Sequence, residues 1–441
     1  VKGRSDLCSR TVCEQRRCFD INERYFPNLK TTEGDPTDPR SGNINLSPLK
    51  VLFLITVLLY TCLAQSEDAE TLTRELQVPG SAYVVFTDSA VLHERYYGSA
   101  DELSKTRISE ETLFYWHSLS KPILATAFVK MVMAGVIDPD QKIVQHIPEL
   151  EAQCRTDNKP RCLITFRHLL THTSGLDYPP SLAGKRGNSD NYTDGFYYSP
   201  ISNEDIMYPF KNYTPLDHFL HAKLNHFPGE GFTYGISYDL LGELLQRITA
   251  QSLQALLEKY LFDPLGMKNT FLVVPQSERS KLVKLYDRKY ATYPIPGKYK
   301  RYQEYDPDRI LISRPDYPVS GGGGLIGTVR DYVIFLQAVM TGFDGDLGTT
   351  LKEYLTCPQL PESLGTSPLA KAFFDASKWS YSFGFGVLPE YKGKQCSSAI
   401  FWAGYSNNQF VVDLEESRGE IFLTNLFPLD HNISIALDSV R

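Results

Sequence analysis

Ser118-Leu119-Ser120-Lys121 brings together two residue types that can do covalent chemistry as a pair. Residues three apart share one face of a helix, which sets the Lys121 amine beside the Ser118 hydroxyl. The next stretch, Pro122 to Ala134 (PILATAFVKMVMA), is almost wholly apolar and predicts a helix at a domain's centre, with Gly135 suited to its end. Burial lowers a lysine's affinity for its proton. The neutral amine can then take the hydroxyl proton as the serine oxygen attacks an acyl carbon. The helix start adds partial positive charge where an oxyanion would develop. Spacing alone does not select this tetrad, because about one or two S-x-x-K matches are expected by chance in a chain this long. Ser47-Pro48-Leu49-Lys50 is a second match. Context selects Ser118: a strand-like stretch gives way there to the apolar helix. The competing reading is a buried serine and a snorkelling lysine at a helix start.

The elements around this pair read as α+β. Residues 82–87 and 91–97 predict two strands joined by a tight polar turn. Thr165 to Thr171 predicts a short helix, with Gly175 closing the following turn. Tyr238 to Tyr260 predicts a helix, with Leu240, Leu241, Leu244, Leu245 and Ile248 on one face. Gly321 to Gly324 is a four-glycine turn before a helix at Val329 to Met340; without a following Lys-Ser/Thr it is not a phosphate-binding loop. Strand-like runs follow at Phe383–Leu388, Ala399–Phe401, Phe410–Asp413 and Glu420–Thr424. Strands, a central helix, a mostly helical middle and more strands imply one antiparallel sheet built from both ends of the domain, with flanking helices and a helical insertion. The residues from Asp177 to Thr214, rich in Tyr, Pro, Asn and Gly, read as a long loop able to form one wall of a pocket.

Composition narrows the function classes. The 441 residues carry a formal charge of -7, and no basic stripe suited to phosphates is present, so nucleic acid is not an expected partner. The 27 Tyr and 24 Phe read as core and surface packing. His168 and His172 stand four apart on the short helix, but HLLTH lacks the Glu of a zinc-hydrolase motif, so no metal is expected. Residues 1–46 read as a disordered extension, and 47–64, with the apolar run Val51 to Ala64, as a cleaved signal peptide or a type II anchor. A membrane partner follows only from an uncleaved anchor. Sequons at Asn191, Asn212 and Asn432 and four further cysteines fit export. Among three possible connectivities the preferred pairs are Cys154–Cys162, which flank a polar turn, and Cys357–Cys396. The folded domain is expected over 72–441.

Five ordered blocks carry a wider resemblance: LFYWHSLSKPILATAFVKMVMAG, ITFRHLLTHTSGLDY, FPGEGFTYGISYDLLGELL, YLFDPLGMKNTFL and GGGGLIGTVRDYVIFL. Together they resemble the serine β-lactamase and penicillin-binding-protein superfamily, in its class C-like branch and nearest its esterase-type and animal β-lactamase-related members. The resemblance spans about Ala82 to Asp413 and implies a β-lactamase/transpeptidase-like fold. It implies that Ser118 is acylated, that Lys121 is its partner and that Tyr234 shuttles a proton to and from the leaving group. Trp402-Ala403-Gly404 falls where the superfamily has its third motif, on a strand edge lining the substrate. The backbone N–H groups of Ser118 and Tyr405 would form the oxyanion hole. The superfamily's long last helix would follow the final strand; the sequence ends at Arg441, soon after that strand-like run.

Two departures redirect the expected substrate. Tyr234-Gly235-Ile236 stands where lactamases have Tyr-x-Asn, and Trp402-Ala403-Gly404 stands for Lys-Thr-Gly. The amide and the ammonium suited to β-lactams and D-alanyl peptides are both missing. The reading is a cofactor-free serine hydrolase acting on esters or small acyl compounds. The alternatives are an inactive structural or binding relative, and a true β-lactamase or D-alanyl peptidase.

Overall fold

The strand Gly80–Thr87 is held by segments far apart in the chain: Val84 lies opposite Glu94 on one side and Ile421 on the other, both antiparallel. The computed structural model describes residues 78–156, 159–178, 214–287, 303–305, 320–343, 348–360, 364, 380–388 and 396–427. These lie in one unit, Ala69–Val440. Residues 1–46 and 47–64, the Ser47–Lys50 tetrad, Asn191, Asn212, Asn432, residues 179–213 of the expected loop Asp177–Thr214, and everything after 427 lie outside the described residues.

Among those described, the main sheet has eight strands in the order Thr106–Arg107, Val91–Asp101, Gly80–Thr87, Arg418–Thr424, Gln409–Asp413, Ala399–Ala403, Gly386–Val387 and Ser380–Tyr381. It joins both ends of the domain, as expected. Side chains in a strand alternate between faces. Ala82, Val84 and Phe86 accordingly enter the main core, while Tyr83 packs with Val78, Phe422 and Leu426 on the other face. The helix Val329–Thr341 lies on strands 80–87 and 418–424. Thr328 caps it, accepting from the Asp331 N–H at 3.2 Å.

The central helix runs Ser120–Met133, two residues earlier than expected at its start. Pro122 falls in its first turn, where an N–H has no intrahelical partner, so proline costs nothing there. Eleven of its fourteen residues are buried, including both polar residues of the first turn, which places it at the centre. Gly135 ends it in the left-handed conformation (φ 69°), with the Gly135 N–H on the Val132 carbonyl and the Val136 N–H on that of Met131.

Two sequence expectations need correction. The segment from Tyr238 to Tyr260 is not one helix. Ser237–Thr249 stops at Ala250, which takes a left-handed conformation (φ 54°). Ser252 then caps a new helix, Leu253–Leu257, through the Ala255 N–H at 3.2 Å. Phe383–Leu388 is not one strand either. Gly384 (φ 85°) turns the chain between Ser380–Tyr381 and Gly386–Val387 and packs against the central helix; a Cβ there would lie 2.9 Å from the Lys121 carbonyl oxygen.

Both cysteine pairs are disulfides in the structure, Cys154–Cys162 and Cys357–Cys396. Beside the first, the Arg161 guanidinium donates to the carbonyls of Phe219 (2.9 Å), Leu220 and Ala222 (3.0 Å), closing the end of helix Pro215–His221. Those carbonyls lack intrahelical partners, and a cation suits that end. Arg161→Met is expected to cost about 1–2 kcal/mol in a denaturant titration; an unchanged midpoint would refute this latch.

Candidate active site

Ser118 is presented by a junction the sequence does not reveal. Phe114–Tyr115 and Thr270–Phe271 flank Ile326–Gly327 in a small sheet, with Phe114 and Thr270 both opposite Gly327. Two-residue strands have no period to read. This sheet sets the segment before Ser118 beside the glycine turn before Ile326. The Trp116 N–H donates to the Leu325 carbonyl (3.0 Å), the Leu325 N–H to Ser120 Oγ (3.0 Å), and the Trp116 indole to the Gly327 carbonyl (3.1 Å). Ser118 therefore sits in a single 3-10 turn, His117–Leu119, ahead of the central helix. His117 is buried with φ 48°, a conformation uncommon outside glycine that clusters at functional turns. Ser118 itself is only half-buried.

Lys121 Nζ lies 3.1 Å from Ser118 Oγ and donates to the Gly322 carbonyl at 2.7 Å. The lysine is 1% exposed. Burial drives its pKa down to about 7, with the Asp239 charge opposing the fall. Close to neutral pH the amine thus exists in both forms. As ammonium it donates to the serine oxygen; as neutral amine it accepts the hydroxyl proton across the same distance.

Tyr234 closes the other side. Its ring centroid is 4.7 Å from Lys121 Nζ and 5.8 Å from the Trp402 ring. Burial raises its pKa, while hydrogen bonding with the Ser118 and Trp402 side chains pulls it back. The phenol is thus a proton donor that touches both Ser118 and the lysine face. The HTSG turn holds it there: the Thr233 N–H donates to the His172 carbonyl (2.8 Å), Ser174 and Ser237 hydroxyls bond (2.9 Å), and the Tyr238 hydroxyl donates to the Leu170 carbonyl (2.8 Å). Gly235 is required by contact, since a Cβ would lie 2.3 Å from the Leu176 carbonyl oxygen.

His168 and His172 do different things. His168 Nδ1 accepts from the Thr165 N–H at 3.1 Å, completing a capping box. His172 is fully buried against Tyr234 (centroids 4.4 Å) and Tyr238 (5.2 Å), where burial and then the Lys121 charge keep its imidazole neutral.

The third wall is the end of strand Ala399–Ala403. Trp402 is buried, its ring 4.9 Å from Tyr381; Ala403 is exposed. Gly404 lies so near the Ser118 turn that a Cβ would stand 2.5 Å from the Trp116 carbonyl oxygen. That contact brings the Tyr405 backbone up to the turn, with its half-buried ring 6.3 Å from His117. Asn408 ties the junction, donating to the Tyr115 carbonyl (2.7 Å) and accepting from the Thr424 N–H (2.8 Å).

The structure therefore gathers Ser118, Lys121, Tyr234, Trp402 and Gly404, with Tyr405 alongside. Sequence reading missed three further groups: Asp239, Ser320 and the Gly322 carbonyl. The one available signal was Asp239 itself, a carboxylate flanked by Tyr238 and Leu240 in an apolar stretch.

The sequence profile of the Beta-lactamase family matches residues 66–437. The chain belongs to the Beta-lactamase family. Within it, the chain is 27% identical over 375 residues to "Esterase EstB" of Burkholderia gladioli, covering 80% of this chain and 87% of that protein. The fold is shared with "EstCE1, a hydrolase with promiscuous acyltransferase activity", at a TM-score of 0.61 and 22% identity over 82% of this chain and 93% of that one. It is shared also with the octameric penicillin-binding protein homologue from Pyrococcus abyssi, at a TM-score of 0.57 and 19% identity over 82% and 72% of the two chains. Among the described residues, groups of three or more His, Cys, Asp or Glu able to hold a metal ion are absent, and no helix is long and apolar enough to cross a membrane.

Proposed function

We propose that this member of the Beta-lactamase family is a serine esterase that works through an acyl-enzyme on Ser118. The contact of Lys121 Nζ with Ser118 Oγ at 3.1 Å, made by a buried amine, carries the reading. The neutral Lys121 takes the Ser118 proton as the oxygen attacks the ester carbon. Tyr234 passes a proton to the departing alkoxide, and the N–H groups of Ser118 and Tyr405 hold the oxyanion. Water then releases the acid by the reverse path. Trp402, Ala403 and Gly404 line the substrate edge. A buried indole beside Tyr234 suits an uncharged acyl or alkyl group and offers no positive charge to a substrate carboxylate. The esterase relative supports this choice. Two disulfides, with the sequons, support synthesis in an oxidising compartment, behind a leader or anchor at 47–64.

A fluorophosphonate probe tests the reading. The intact protein should be labelled at Ser118 and Ser118→Ala should not. Labelling should accelerate as pH rises through about 7, where Lys121 loses its proton. Short acyl esters should be hydrolysed and cephalosporins left largely intact. Well-folded protein that takes no label would favour the inactive relative instead.

A further inference from the structure

A buried carboxylate lies on the far side of the Lys121 amine. Asp239 is 2% exposed, in the first turn of helix Ser237–Thr249. The Ser320 hydroxyl donates to its Oδ1, and the Gly322 N–H reaches the same oxygen at 3.4 Å. The carbonyl of that same Gly322 accepts from Lys121 Nζ at 2.7 Å. One peptide segment thus has the acid on its N–H side and the base on its C=O side. A Cβ on Gly322 would lie 2.9 Å from Asp239 Oδ2 and 3.4 Å from Lys121 Nζ, so both charged groups converge on a space that only glycine leaves open. A further bond from the Gly323 N–H to Ser320 Oγ (2.9 Å) makes the turn a clamp around the carboxylate.

We propose that Asp239 is a positioning residue for Lys121: its buried carboxylate sets the charge the amine carries and locks the glycine turn whose carbonyl holds that amine beside Ser118. The inference rests on the reading of Lys121 as the proton acceptor. The other groups facing the amine are Ser118 and His117 from the 3-10 turn, His172 from the HTSG turn, and Tyr234 and Tyr238 from the start of the next helix. Burial keeps both imidazoles unprotonated and both phenols protonated. Around Asp239 itself stand Ser320, Gly322, Lys121 and Tyr234. Burial pushes the carboxyl toward its neutral form, and Ser320, Lys121 and the Gly322 N–H oppose that rise. Asp239 is therefore the neighbour whose charge favours the ammonium. Removing that charge lets Lys121 lose its proton at lower pH. Weakening it does the same to a smaller degree.

The test is the pH dependence of fluorophosphonate labelling at Ser118 in wild type, Asp239→Asn and Ser320→Ala, with thermal unfolding recorded for each. The Asn variant should move the midpoint of the acid limb down by about one pH unit and lower the plateau rate about tenfold, since a weaker base also sits in a looser turn. Ser320→Ala strips one donor from the carboxylate, which then holds its proton more tightly, so the midpoint should move the same way by less. Midpoints that stay in place or move up, in either variant with wild-type unfolding, overturn the inference. If Asp239→Asn does not fold, the Ser320→Ala midpoint decides. An unmoved midpoint in labelled protein sinks this inference alone; absence of any label on the wild type sinks it together with the esterase reading.

Discussion

Lys121→Met should slow acylation of Ser118 by about 10³-fold, the usual contribution of a positioned general base. The same change should make the protein less stable, although it exchanges a buried amine for an apolar chain of similar length. Removing the amine takes away the neighbouring charge that offsets the burial of the Asp239 carboxylate and the donor to the Gly322 carbonyl. The loss should be about 1–3 kcal/mol at pH 8, the cost of leaving the buried Gly322 carbonyl without its donor, and should shrink at pH 5.5. The sign follows from linkage. Without Lys121 the folded carboxyl binds its proton more tightly than the unfolded one, so the folded variant gains relative stability as pH falls. Wild type adds a Lys121 contribution of opposite slope. Unfolded Lys121 keeps its proton up to about 10.5 and folded Lys121 only up to about 7. Between those values the unfolded state binds more protons, and wild-type stability climbs with pH. Denaturant titrations of both proteins at the two pH values, with burst kinetics on an ester, check both parts. A rate within tenfold of wild type, or a stability gap that ignores pH, would contradict this account.

Gly404→Ala is expected to lower kcat by about 10²-fold and stability by about 1–3 kcal/mol. The new methyl would meet the Trp116 carbonyl at 2.5 Å, and that oxygen is backbone on the turn carrying Ser118. Neither side can swing away as a flexible side chain would. The strand end must retreat from the turn, separating the two N–H groups proposed to hold the oxyanion. KM should change less than kcat, because the donors act on charge that develops in the transition state. Ala403→Gly is the control, since Ala403 is exposed on the same strand end. Equal effects of the two substitutions on kcat would refute the close-approach argument.

Much of the fold was legible because it is local. The central helix was readable from an apolar run closed by Gly135, and the strand pair from two-residue alternation. The pairing of Ser118 with Lys121 was readable too, although the structure places the serine in a 3-10 turn and not in the helix. The contact survives because residues three apart meet in both geometries. The errors at Ala250 and Gly384 share a cause. Each residue takes a left-handed conformation inside an otherwise continuous apolar pattern, and hydrophobic period carries no record of backbone handedness.

The sequence by itself determined which atoms could react, since the hydroxyl, the amine and the phenol are side chains named by their positions, and helix pitch brings the first two together. Only the tertiary structure decided what state those atoms are in. Lys121 is poised near neutrality because water is excluded by the central helix, the aromatic rings around His172 and the glycine turn, none of which is near it in sequence except the helix. Asp239 meets it through Gly322, and Gly404 meets the Ser118 turn, across chain separations that no periodicity spans. A proton's affinity depends on desolvation and on neighbouring charge, and both belong to the packed assembly of distant segments. The Ser118–Lys121 tetrad shares its S-x-x-K pattern with Ser47–Lys50; the burial of Lys121 beside the Ser118 hydroxyl comes from the fold around it.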